Sequence, residues 1–148
     1  MSDDCTTKAA TKEQLQIARC GLLDSFAEVE ESVIRLQAKF GHKASAASLG
    51  QRLEALRKIE ASPQFSKAAF AQLQIHVQRL TSLNDLRGDV VHARMYVAPV
   101  AGAVRACFIN SRECAEEFPS ARLLTLEQFV KLNKDLRELA AALTKLAT

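Results

Sequence analysis

The chain has 148 residues, 48% of them hydrophobic and 25% charged, which is one domain's worth and enough for a core. Net charge is +3 and the pI is near 8.8, a mildly basic balance that allows RNA as a partner without arguing for it. The opening Met-Ser-Asp-Asp-Cys-Thr-Thr-Lys lacks the apolar core of a signal peptide, and no run approaches membrane-spanning length. The expectation is a cytoplasmic protein without a membrane partner.

The chain carries five Gly, three Pro and no Trp, a composition that suits a mainly helical fold. Its four cysteines, Cys5, Cys20, Cys107 and Cys114, form no Cys-x-x-Cys pair and no Cys/His cluster of zinc spacing. They are expected to be reduced, structural or incidental, with Cys107 buried. No cofactor and no metal is expected.

Residues 1–11 are polar and read as a disordered N-terminus. Residues 12–148 read as a single domain. Thr11 and Gln14 form a capping box. Leu15, Ala18, Leu22, Phe26, Val29, Val33, Leu36 and Phe40 then recur at steps of three and four, the seam of a long amphipathic helix that Gly41 ends.

Ser48 and Gln51 open a second helix, with Leu49, Leu53, Leu56 and Ile59 on its core side. Arg52, Arg57 and Lys58 lie off that seam and read as a solvated face. Ser62 and Pro63 predict the start of a third helix running to about Val91. Its seam is Phe65, Ala69, Leu73, His76, Leu80, Leu83, Arg87 and Val90. On that stripe His76 reads as a core or boundary residue with a satisfied hydrogen bond. Arg79, Arg87 and Arg94 would line one basic edge if the helix continued.

After His92 the period changes. Arg94–Ala98 and Val104–Ile109 read as a hairpin with a turn of about four or five residues around Pro99-Val-Ala-Gly102. A polar excursion follows over Asn110–Pro119, and Ala121–Leu124 reads as a third strand. Thr125 and Gln128 cap a last helix whose seam is Leu126, Phe129, Leu132, Leu136, Leu139, Leu143 and Leu146. Lys145 near its end suits the helix dipole.

The chemistry-bearing stretch is Leu83 to Arg94. Arg87 is centred on an apolar stripe, so its guanidinium must be paired, snorkelling or facing a cleft. His92 follows where the helical pattern fails, which would set its imidazole beside the arginine at a helix end. A fixed positive charge beside a group of the kind that titrates near neutrality equips a site for phosphate chemistry. Asp89-x-x-His92 also has carboxylate–histidine spacing, but a di-metal bundle needs a second such pair, and none exists here.

Arg87-Gly-Asp-Val-Val-His92, with Leu86, Val90, Val91 and Ala93 around it, resembles the Arg-x(4–6)-His motif of the HEPN superfamily. The likeness covers roughly residues 15–92 and the last helix. Gly88 departs from it, since the family usually has a polar residue, often Asn, after the arginine.

The resemblance implies a four-helix bundle, here with a small β-hairpin or three-strand insert between helices 3 and 4. It also implies a homodimer in which two Arg–His helices build one composite site. The function it implies is a metal-independent endoribonuclease of toxin or defence type, frequently beside a nucleotidyltransferase-type antitoxin. A ribose 2′-OH would attack the adjacent phosphate, leaving a cyclic phosphate. In that reaction His92 would move the proton, Arg87 would clamp the phosphate oxygens, and Asp89 would orient His92. Arg79, Arg94 and Asn84 would contact RNA. The alternative is a non-catalytic HEPN-like module for nucleotide or protein binding, in which Arg87 is a structural ion-pair partner. Exposure separates the two: a catalytic pair lines one open cleft, and a structural arginine is enclosed and paired.

Overall fold

The computed structural model describes residues 8–41, 47–59, 65–109 and 121–148. Four helices and a three-stranded antiparallel sheet follow one another as α1 (Lys12–Lys39), α2 (Leu49–Arg57), α3 (Lys67–His92), β1 (Arg94–Val100), β2 (Ala103–Ile109), β3 (Ala121–Leu124) and α4 (Leu126–Ala147). This is the mainly helical fold with a strand insert between α3 and α4 that the periodicities predict. No helix among the described residues is long and apolar enough to cross a membrane.

The capping residues work as their chemistry requires. Thr11, Ser48 and Thr125 each accept from the backbone of the glutamine three residues on, and each glutamine side chain accepts from the cap's own N–H. Two orphan donors are thereby satisfied at each helix start. The α3 cap is Ser66, whose hydroxyl accepts from Ala69 N at 3.1 Å. The expected cap Ser62 and Pro63 lie outside the described residues, as do most of the terminus expected to be disordered and the excursion at 110–119. Ala10 already packs on the core.

The longest packing surface is α1 against α4. Their apolar seams face each other, with Leu15, Leu22, Phe26, Val29, Val33 and Leu36 meeting Phe129, Leu136, Leu139 and Leu143, all buried. Polar pairs fix the register. Ser25 donates to Asn133, the Ser32 and Thr144 hydroxyls lie 2.9 Å apart, and Lys39 donates to Leu146 O at 3.1 Å. Partner numbers rise together along both helices, so α1 and α4 run parallel.

α2 leans on α3 through Leu53 and Leu56, and Gln74 of α3 donates to Leu56 O at 3.4 Å. Arg52 departs from the expectation of a solvated face. It is buried, with Nη1 donating to Gln37 Oε1 at 3.1 Å, so this position faces α1. Its long side chain reaches a polar partner from a position that helical periodicity places off the leucine seam.

The sheet order is β1-β2-β3, with Arg94 opposite Ile109 and Val100 opposite Ala103 in the first pair. The connection is tighter than expected: only Ala101 and Gly102 lie between the strands, with φ of 49° and 79°. Positive φ at both positions suits a two-residue turn whose twist matches the strands. Pro99 therefore sits inside β1, which it can do because β1 is an edge strand. The inner face carries Met95, Val97, Ala106, Phe108 and Leu124, and the Phe108 ring meets Phe129 edge-on at 6.3 Å. That contact joins the sheet to α4.

Candidate functional site

α3 is one continuous helix from Lys67 to His92, so Arg87 and His92 both belong to it. Five residues along a regular helix turn a side chain by about 140°. The two groups therefore leave α3 in different directions.

Arg87 points toward α1. Its Nη2 lies 3.4 Å from Glu30 Oε2, and each side chain of the pair is 27% exposed. Asp89 points toward the sheet. Its Oδ2 accepts from Arg122 Nε at 2.7 Å, a charge-assisted bond tying β3 to α3. Asp89, expected to orient His92, thus has Arg122 of β3 as a partner, and nothing local in the sequence announces that pairing. His92 is exposed on the last residue of the helix. Gly88, one turn earlier on the same side, faces open space, and Val91 beside it is also exposed.

The other expected contacts scatter. Arg79 is exposed on α3, more than two turns before His92. Arg94 lies on β1 rather than on α3, so no basic edge runs from Arg79 through Arg87 to Arg94. Its guanidinium sits 5.2 Å above the Tyr96 ring. Asn84 of α3 is half-buried against the first turn of α2, where a Cβ on Gly50 would come within 3.1 Å of its Nδ2.

The arginine that holds this end of the molecule together is Arg19 of α1. Its Nε and Nη2 donate to Val90 O at 3.0 and 2.7 Å, and Nη2 also donates to Ala93 O at 3.0 Å. The last carbonyls of α3 have no intrahelical partner, and a cation there also opposes the helix dipole. The same guanidinium lies 5.5 Å over the Phe108 ring. Nothing local to Arg19 in the sequence announces this role, because its acceptors lie 71 and 74 residues away.

His76 departs from its expectation in one respect. It is half-buried, but its Nδ1 is shielded from solvent without a hydrogen-bond partner among the described residues. Burial, and then the Arg79 charge, hold its pKa below 6.5. Cys20 is exposed and Cys107 only half-buried. Among the described residues, no three His, Cys, Asp or Glu side chains gather in a way that could hold a metal ion.

Two open cavities lie away from the motif. One runs between α2 and α3 beside Arg57, Gln74 and Gln78, and the other between α1 and α4 beside Glu28, Arg35 and Arg137. No family model, no curated protein and no solved structure matches the chain.

Proposed function

We propose that this chain is a HEPN-like helical binding module that performs no chemistry at the Arg87–His92 motif. The observation that carries the reading is the Arg87–Glu30 pair. The guanidinium that would clamp a phosphate is three-quarters enclosed and already faces a carboxylate of α1. A phosphate would have to displace Glu30 to reach it. Asp89 supports the same reading, because Arg122 holds it against the sheet.

A double-mutant cycle on Glu30→Gln and Arg87→Met, read by urea unfolding, tests the structural role. A coupling of about 0.5–1 kcal/mol is expected for a pair with this exposure. Zero coupling, with stability unchanged in both single variants, would remove it.

A second reading, the metal-independent endoribonuclease, draws support from His92. Its imidazole is exposed beside the open surface over Gly88, where a second α3 helix has room to approach. That reading requires a homodimer, so that His92 of one chain meets Arg87 of another across a composite cleft. A nucleotidyltransferase-type antitoxin belongs to it as a partner. The apolar seam of α3 offers a second copy little surface. Leu73, Val77, Leu80, Leu86 and Val90 are all covered by the protomer's own core.

A further inference from the structure

We infer that the outer face of the sheet is a docking platform for single-stranded nucleic acid, centred on Tyr96. The inference rests on the binding-module reading and names its ligand. Side chains alternate along strands, so Arg94, Tyr96 and Ala98 of β1 share the face opposite the core. The register sets Cys107 across from Tyr96, Arg105 across from Ala98 and Ile109 across from Arg94. Leu123 of β3 lies beyond Cys107 on the same face.

Tyr96 is 47% exposed and Ile109 39%, which leaves an aromatic ring on a flat, partly apolar surface. The Arg94 guanidinium lies over the Tyr96 ring, 5.2 Å from its centroid. A planar guanidinium and a phenol together form a stacking surface that accepts any base, because every base has a π-face. Arg105, across from Ala98, adds a second cation to the same face toward the turn, where its Nε donates to Val100 O at 3.1 Å.

Charge selects the occupant. The three strands read Arg-Met-Tyr-Val-Ala-Pro-Val, Ala-Val-Arg-Ala-Cys-Phe-Ile and Ala-Arg-Leu-Leu, with three arginines and no carboxylate. Arg122 is turned inward to Asp89, while Arg94 and Arg105 remain on the outer face with Tyr96. A cation over an exposed ring, with a second cation farther along the same face, fits a strand that stacks a base and runs its phosphates along the sheet. A duplex hides its base faces and cannot stack here.

The test is fluorescence anisotropy with a labelled oligouridylate of about twelve nucleotides, its oligothymidylate counterpart and a duplex RNA of equal length. The full chain should bind the single strands with a clear salt dependence and bind the duplex far more weakly. Tyr96→Ala should weaken single-strand binding about tenfold or more, and Tyr96→Phe should stay within about twofold of the parent, because the stack needs the ring and not the hydroxyl. Arg94→Ala and Arg105→Ala should each lower affinity and reduce the salt slope by about one. Circular dichroism checks that the exposed substitutions leave the fold intact.

Absence of binding to either single strand, duplex binding as tight as single-strand binding, or Tyr96→Ala equal to the parent would each overturn the platform. So would self-association that Tyr96→Ala abolishes without any nucleic-acid binding, which would make the face a protein contact. Binding with the strand left intact supports the platform and the module together. Binding followed by cleavage keeps the platform and removes the module reading, and absence of binding does the reverse.

Discussion

Arg19 does at the end of α3 what a glycine cap usually does elsewhere. It satisfies Val90 O and Ala93 O with a charged donor and packs over Phe108 at the same time. Arg19→Met keeps much of the stem but strands two carbonyls, so it should lower unfolding free energy by about 1–3 kcal/mol, measured by urea denaturation. Arg19→Lys should recover only part, because an ammonium cannot fork to both acceptors. A neutral Arg19→Met would mean that water caps α3 equally well. His76 makes a prediction of opposite character. Its folded pKa lies below 6.5 because burial disfavours the cation, so the unfolded chain binds the proton more readily. The associated stability is whole above the unfolded value. It is lost as pH falls from there toward the folded value, and the loss then levels off. Urea midpoints should drop as pH falls below neutrality, and His76→Leu should flatten that part of the slope. An unchanged slope in His76→Leu would assign the acid sensitivity to other groups.

At the scale of elements, the tight turn between β1 and β2 carries the clearest prediction. Ala101 has φ of 49°, a conformation that costs an L-residue with a Cβ. Ala101→Gly should therefore stabilise the protein by about 0.5–1 kcal/mol, and Ala101→Asn should move the same way, read as a higher urea midpoint. Destabilisation by both would contradict the turn geometry. The helix starts, seams and third strand are legible in the sequence because their signals are local: a cap and its glutamine, or leucines at steps of three and four. The hairpin turn is misjudged because Pro99 signals a break, and only the strand's place at the sheet edge makes Pro99 tolerable. Arg52 is misread for a related reason. It does lie off the leucine seam, but α1 approaches α2 from that side, and Gln37 accepts from it there.

For the whole molecule, the motif at the end of α3 is visible in the sequence while its partners are not. Glu30, Arg122 and Arg19 come from α1 and β3, far along the chain, and none carries a local signature. The pattern Arg87-x4-His92 gives spacing but not direction, and the continuous helix sends the two side chains apart. The core covers the α3 seam within one protomer, so sedimentation velocity at micromolar concentration should give a species at the 16.2 kDa chain mass. Twice that mass would restore the geometry that a composite cleft needs. On the proposed reading, Arg87 serves the fold and not a reaction. The most direct test of that reading is incubation of the homogeneous protein with total cellular RNA at neutral pH, with EDTA present, resolved on a denaturing gel. RNA should be left intact by the parent chain and by Arg87→Ala and His92→Ala alike. Cleavage by the parent that both substitutions abolish, in protein that circular dichroism shows to be folded, would contradict that reading.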